Sequence, residues 1–472
     1  MDFEKSLYYG IILYFLVIYK NTERMLSVEE NLFENYPVGK VYFKLALPVV
    51  FSMIVTLIYN MADTYFIGQT GDANQVAAVS LCAPLYTFMI ALGDILGLGG
   101  SSVISRLLGQ KKDSDVKRIS SFCFYGAFLC GIIITIIMLV FSDSALRILG
   151  TDESTYAFAS DYYKYIAFGA PFIIFSLAPS NIIRTEGLAK EVMIGSILGT
   201  IVNIILDPIF IMVLGMGVSG AAIATVIGNI IADIFYIYII LSKSRKLTVD
   251  FSACRVKLEE MKDIFIIGIP ASLTNIMQSI GIMVMNRSLY SYGNDKIAAM
   301  GIAMKVSMIV VLILVGFSFG AQPLMGYNYG AGNKKRLKEV LKFSFIFEGI
   351  LSAVMAVILI IIAKPITGLF IGNGSIIESG ALMLRIMLIS TPLISVILIS
   401  TVMFQSAGKA LPAMILSIGR QGVIFVPIIL ILKSIFGYSG VIWAQTCADI
   451  ATFILAMVLF KLTFKELFVK GK

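Results

Sequence analysis

FKLALPVVFSMIVTLIYNMADTYFIG (Phe43–Gly68) is a run of 26 residues with only two charges, Lys44 and Asp63. About 20 apolar residues suffice to cross a bilayer, so the run reads as a membrane-spanning helix. It closes on Tyr59-Asn60-Met61-Ala62-Asp63-Thr64-Tyr65-Phe66-Ile67-Gly68, where Asp63 has no basic neighbour in sequence. A carboxylate at the bilayer centre costs roughly 2.5–3.5 kcal/mol, and less toward an interface. Depth alone leaves two readings open. Asp63 is a solvated interface residue, or it faces water, a cation or a proton path.

The rest of the chain resembles this run. Of its 472 residues, 58% are hydrophobic and 14% charged, a balance foreign to soluble domains. The class is an all-α, polytopic integral membrane protein. The weakly alternating ten-residue segments of outer-membrane barrels are absent. The net charge of +8 does not indicate a nucleic-acid partner, because Lys and Arg gather in short loops. Cys82, Cys123, Cys130, Cys254 and Cys447 are odd in number and form no CxxC pair, so neither a disulfide framework nor a metal site is expected. Histidine is absent, which excludes HExxH zinc chemistry and leaves any proton relay to carboxylates. With no GxxxxGK[ST] loop, metal-ligand cluster or large soluble loop, the chain reads as neither an ATP-driven pump nor an enzyme. No cofactor is expected.

From Phe43 the apolar runs read as twelve spans: Phe43–Gly68, Ala77–Ser105, Ile119–Phe141, Ala159–Ile183, Val192–Leu214, Val218–Leu241, Ile264–Leu289, Ile297–Met325, Phe343–Ala363, Ala381–Phe404, Pro412–Leu432 and Tyr438–Phe460. Loops on one side carry 22 Lys and Arg residues, among them Lys111, Lys112, Arg118, Lys243, Lys246, Lys334 and Arg336. The other side carries four: Arg147, Lys296, Lys364 and Lys433. The positive-inside rule then puts both termini in the cytoplasm of a multi-pass plasma (inner) membrane protein. The expected organisation is a leader over 1–40 (1–24 read as an over-extended start), one lobe over 41–241, a linker over 242–263, a second lobe over 264–460 and a tail over 461–472.

The division into lobes rests on repetition. At an offset of 221 residues Pro171 matches Pro392, Gly187 matches Gly408, Met193 matches Met414, and Ser196-Ile197 matches Ser417-Ile418. Gly99 matches Gly320 and Gly109 matches Gly330, while Leu47-Pro48 matches Ile269-Pro270 with a one-residue slip. Six spans per half make both halves enter from the same side, as parallel repeats about an axis along the membrane normal. Two such lobes around a cavity are the architecture of an alternating-access carrier. Gly93–Gly100 and the mid-span prolines Pro84, Pro171, Pro179, Pro392 and Pro427 supply soft points and kinks.

The halves differ in charge. In the repeat alignment Asp63 faces Met285 or Asn286, Asp207 faces Ile428 and Asn203 faces Ile424. Within LGTIVNIILDP (Leu198–Pro208), Asn203 and Asp207 share a helix face. Pro208 leaves the carbonyl one turn earlier without its helical donor. Carboxylate, amide oxygen and carbonyl form a hard-oxygen cluster suited to a proton or a sodium ion, to which Thr225 adds a hydroxyl. The alternative is structural: Asp207 caps a helix break and Asn203 bonds another helix.

These residues resemble the multidrug and toxic compound extrusion (MATE) family of secondary transporters, in its bacterial multidrug-efflux branch. The resemblance runs from Pro37 to Phe460. It rests on Leu47-Pro48, Asn60–Gly68, Ser105-Arg106-Leu107-Leu108-Gly109, Asn203-Ile204-Ile205-Leu206-Asp207-Pro208, Gly220-Ala221-Ala222 and Gly268-Ile269-Pro270. It implies export of cationic amphipathic compounds against inward proton or sodium flow. The coupling ion would be held by Asp63, Asn203, Asp207 and Thr225. The acids that other members use in the seventh and tenth helices fall here at Gln278 and Ser395-Val396, so coupling through the first lobe is favoured. No metal beyond sodium is implied.

Two close, partly desolvated carboxylates cannot both stay ionised cheaply, so binding a proton or cation would allow the lobe to repack. Candidates for the substrate cavity are Tyr59, Asp94, Asn275, Gln278, Met283 and Lys305, with pairing to Glu348 the alternative for Lys305. Asp233, Arg385, Arg420 and Asp449 read as inter-helix glue or interface residues. The expected partners are small cationic substrates and membrane lipid, and the expected state is a monomer. The rival reading is a flippase for lipids or lipid-linked saccharides, which would want a more basic cavity.

Overall fold

The computed structural model describes residues 32–465. The expected leader segment 1–24 and the end of the tail lie outside the described residues. Every regular element among the described residues is helical, as hydrocarbon demands: each backbone N–H and C=O must be bonded within its own segment or a closed barrel.

Ten helical stretches are long and apolar enough to cross a bilayer. One of them, Ala410–Thr463, has 54 residues. Straight, it would measure about 80 Å, far more than the hydrocarbon thickness. Gly437 breaks it, with φ 57° and ψ −130°, a conformation closed to residues with a Cβ. Just beyond, Gly440 turns back so closely on the Leu432 carbonyl that no side chain fits. The stretch is therefore two antiparallel spans. A further span is bent by 47° between Gly374–Ile389 and Thr391–Ser406, next to Pro392. The total is twelve, as the apolar runs predict.

The spans are α1 (Val38–Gly68), α2 (Ala73–Gly109), α3 (Asp113–Val140), α4 (Tyr156–Ile183), α5 (Ala189–Pro208), α6 (Gly217–Ser242), α7 (Leu258–Leu289), α8 (Asn294–Gly320) and α9 (Lys334–Ile361). The bent α10 (Gly374–Ile389 with Thr391–Ser406), α11 (410–436) and α12 (438–463) follow. Several helices begin earlier than the apolar pattern. In α7 the polar turn Leu258–Asp263 is already helical. Glu259 and Glu260 favour its N-terminus, Glu260 accepts from the Lys257 N–H at 2.9 Å, and Arg118 reaches Glu260 at 2.6 Å. Apolarity marks the lipid boundary, whereas caps mark the helix boundary.

Lipid-facing stripes are plain. On α3, Leu129, Ile133, Ile136 and Val140 are exposed at helical spacing, as are Ile346, Ile350, Val354 and Ile361 on α9. The buried apolar residues form three cores. One lies in the first lobe, from Ile67 of α1 through α6, and takes in Leu247 and, on α7, Ile264; one lies within the second lobe; and the third joins both lobes at the end that carries the basic loops. That third core holds Val41, Tyr42 and Leu45 of α1 against Phe317 of α8, Leu337 of α9 and Phe404 of α10.

Two helix crossings fasten the lobes beside this core. On α2 and α7, Gly99 lies against the Ile264 carbonyl and Gly268 against the Ile95 carbonyl, closer than any side chain permits. The repeat-related crossing sets Gly320 of α8 against Ala46 of α1. Each of these contacts falls toward the basic end of its helix. The lobes are thus closed against each other there.

Candidate functional site

Three helices of the first lobe bring its polar groups together. α1 carries Tyr59 and Asp63 one turn apart, α5 carries Asn203 and Asp207 likewise, and α6 carries Thr225. The Tyr59 and Thr225 hydroxyls share a hydrogen bond of 3.0 Å. The Asn203 amide donates to Asp207 Oδ1 and to Thr225 Oγ1, each at 3.5 Å. Asp63 is near enough to act electrostatically on both Asp207 and Tyr59. Beyond Asp207-Pro208 the helix widens into a π turn, Ile209–Val213, with the Leu214 N–H bonded to the Ile209 carbonyl at 2.9 Å. Such turns recur at functional sites.

Asp207 and Asn203 are buried, and three oxygens (Asp63 Oδ1, Asn203 Oδ1 and Asp207 Oδ2) have no hydrogen-bond partner among the described residues. Unsatisfied buried acceptors are costly. An acceptor-only group of carboxylate and amide oxygens is completed by a proton or a small hard cation. A polar cavity of about 130 Å³ adjoins them, lined by Tyr59, Asn203 and Thr225 and, further along α6, by Asn229 and Tyr236, with Ser176 from α4. It has room for several waters. Asp233 lies beside Ser176 at 4% exposure, with neither carboxylate oxygen hydrogen-bonded. Ser176 of α4 is the inter-helix polar neighbour that its reading as glue calls for.

A second cavity, of about 550 Å³, lies between the lobes, a volume usual for small-molecule sites. The first lobe gives it Met53, Asp94, Asn181 and Arg184; the second gives it Asn275, Gln278, Met285, Met304, Arg420 and Asp449. Its two acids differ. Asp449 accepts from Arg420 Nε at 2.9 Å, Gln445 Nε2 at 3.1 Å and Ser390 Oγ at 2.7 Å, so its charge is spent within the second lobe. Asp94 accepts from Asn181 Nδ2 at 3.4 Å, while Arg184 bonds Asn181 Oδ1 and the Ser180 carbonyl.

Of the residues marked for the substrate cavity, Asp94, Asn275 and Gln278 line the central cavity. Tyr59 lines the small one. Met283 and Lys305 are exposed and outside both linings. Helical phase explains this. Met304, Ser307, Met308 and Val311 form the cavity stripe of α8, and Lys305 is a residue out of step; Met283 stands likewise to Ile282 and Met285 on α7. Glu348, the alternative partner for Lys305, is instead bonded by Tyr42 and Ser318. Sequence reasoning did not bring Asn181 and Arg184 to the cavity, because Arg184 reads as a loop cation. The polar face Ser180, Asn181, Arg184 at the end of α4 was the signal.

Two parallel six-helix lobes, closed at one end over a central cavity, define a membrane transporter of the two-lobe type. The chain belongs to the MatE family, whose profile matches twice, over residues 48–209 and 270–431. It is 34% identical over 427 residues to the multidrug export protein MepA of Staphylococcus aureus (strain MRSA252), covering 90% of this chain and 94% of that one. To MepA of Staphylococcus saprophyticus it is 32% identical over the same length. Among solved structures it is similar to an outward-facing multidrug resistance MATE transporter of the MOP superfamily, with a TM-score of 0.87 and 26% identity, covering 94% of this chain and 99% of that one. It is also similar to a MATE crystallised in complex with MaD3S, with a TM-score of 0.87 and 26% identity, covering 93% and 98%.

Proposed function

We propose that this chain is a secondary active multidrug exporter. It expels cationic amphipathic compounds by antiport with protons or sodium ions, and the coupling ion is held in the first lobe by Asp63, Asn203, Asp207 and Thr225. The observation that carries this reading is the set of three buried acceptor oxygens, on Asp63, Asn203 and Asp207, that have no partner among the described residues. Cargo occupies the central cavity, where Asp94 is the acid whose charge is not spent on an arginine bond. Arg420 is taken by Asp449, and Arg184 is bonded to Asn181 and lies within electrostatic reach of Asp94. Neither cavity arginine therefore stands uncompensated for the pyrophosphate of a lipid-linked saccharide, which supports cationic cargo.

The basic end is the cytoplasmic one, with both termini there, in the plasma (inner) membrane. The closed third core then makes the present arrangement outward-facing. Ion binding from outside neutralises the Asp63–Asp207 pair, the first lobe repacks, and the lobes part at the cytoplasmic end to release the ion and admit cargo. One chain supplies both lobes and both cavities, so the working unit is a monomer.

The test is efflux of a fluorescent cation from everted vesicles, driven separately by a pH gradient and by a sodium gradient. One gradient should support efflux, and Asp63→Asn and Asp207→Asn should each abolish it, whereas Lys305→Gln should not. Wild-type efflux from both aspartate variants, at equal protein levels, would overturn the assignment.

A further inference from the structure

The second lobe holds a buried carboxylate that the coupling-ion group does not use. Glu348 of α9 is 0% exposed. The Tyr42 hydroxyl donates to its Oε1 at 2.7 Å and the Ser318 hydroxyl to its Oε2 at 2.7 Å. Ser318 belongs to the same lobe, but Tyr42 belongs to α1 of the other. The Tyr42–Glu348 bond is therefore made across the closed lobe interface, inside the third core, among the rings of Phe317, Phe343 and Phe347.

Among the described residues no cation compensates this acid. Tyr42 and Ser318 are the side chains that act on it, and Ser344, one turn earlier on α9, backs Tyr42. Both halves of α10 pack on α9. Thr391–Ser406 contains no titratable side chain; in Gly374–Ile389, Arg385 is bonded to the Ile360 carbonyl, more than three turns beyond Glu348, while Glu378 pairs with Lys364. On α8, Lys305 is exposed. On the segment after α8, Tyr327 is occupied by Glu34; on α1, Lys40 lies over Tyr36 and Lys44 is engaged in an interaction of its own. A buried carboxylate without a positive partner is costly even when hydroxyls bond it, and the cost vanishes once water reaches it.

We propose that Glu348 is a second proton-binding site, which takes up a proton when the lobes close at the basic end and gives it back when they part. On closure the proton passes from basic-side water to one carboxylate oxygen, and the hydroxyl facing that oxygen turns to accept from it. On opening, Tyr42 withdraws with its lobe, water enters, and the proton returns to the same side. No net charge crosses the membrane by this route. The site sets the balance between closed and open forms, so acidity on the basic side favours the closed form, by up to about tenfold per pH unit for one proton. The inference requires lobe motion but not the first-lobe assignment of coupling.

The experiment is infrared spectroscopy on the full-length protein reconstituted in liposomes, with ¹³C-glutamate or ¹³C-aspartate labelling. The first-lobe acids are aspartates, so the label separates the two sites. A protonated-carboxyl band that shifts with labelled glutamate, disappears in Glu348→Gln and persists in Asp63→Asn is expected. Spin-label distances across the basic end should show a closed fraction that rises on acidification in the wild type. In Glu348→Gln that pH response should be lost while the closed form persists. Tyr42→Phe, which keeps the ring, should weaken the response and serves if Glu348→Gln does not fold. Absence of the glutamate band in the closed wild type overturns the proposal, as does an unchanged pH response in both variants.

Discussion

The Tyr59 hydroxyl lies 3.0 Å from the Thr225 hydroxyl, and this bond ties α1 to α6 across the small cavity. Tyr59 sits one turn from Asp63, and Thr225 also receives the Asn203 amide. Toward its other end the same α1 packs Ala46 and Val50 against Gly320 and Gly316 of the second lobe. One helix therefore touches both the acidic group and the lobe interface. If Asp63 is neutralised in the proposed cycle, α1 gives that change a route to the contacts at the basic end.

Tyr59→Phe removes one hydroxyl and leaves Thr225 with Asn203 alone. The loss in stability should be about 1 kcal/mol, the net worth of one hydrogen bond. Thr225→Val deprives Tyr59 and Asn203 of a partner at once and should cost more. Gradient-driven efflux should fall several-fold in each. The double variant should fall short of the sum, because both changes break one network. Thermal unfolding in detergent and vesicle efflux, measured on the same preparations, check this. Additive losses would show that the two hydroxyls act independently.

The Arg420–Asp449 pair makes a different prediction. Its side chains are 13% and 1% exposed, and the N–O distance is 2.9 Å. Arg420→Ala strands a carboxylate and should destabilise the protein by about 3–5 kcal/mol. Asp449→Asn keeps the Ser390 and Gln445 contacts and should cost less than Asp449→Ala. Replacing both with Met and Leu should recover much of the loss, since desolvation of two charges disappears with them. Unfolding temperatures of the four variants decide the matter, and equal losses from the single and double changes would count against it.

Much of this was legible in the chain. The twelve spans and the tandem lobes follow from apolar run length and a near-constant 221-residue offset, both properties of the one-dimensional sequence. Asn203 and Asp207 could be paired because helical spacing and the Pro208 break are local, whereas their grouping with Asp63 and Thr225 as one ion site was what the family resemblance implied. What escaped was helical phase at long range. Lys305 lies well inside α8, yet one residue of phase separates it from the cavity stripe through Met304 and Met308. Tyr42 and Glu348 are 306 residues apart, and nothing local announces that they meet. Asp233 reads as glue, and only the fold shows that Ser176 of α4 is the group beside it.

The crossing of α2 and α7 carries the last prediction. Gly268 lies so close to the Ile95 carbonyl that a single methyl must push the two backbones apart. Backbone is not a flexible neighbour, so the strain cannot be relieved by a rotamer change, and it exists only while the lobes are closed at the basic end. Gly268→Ala should therefore destabilise the closed form and leave each lobe's own core intact. Spin-label distances across the basic end should lengthen, and accessibility of probes from that side should rise. Gly349, on α9, has nothing within 4 Å of the position that an added methyl would take. It provides the control, since Gly349→Ala should leave the distances unchanged. A Gly268→Ala protein with wild-type distances would mean that the two helices can separate without opening the lobes.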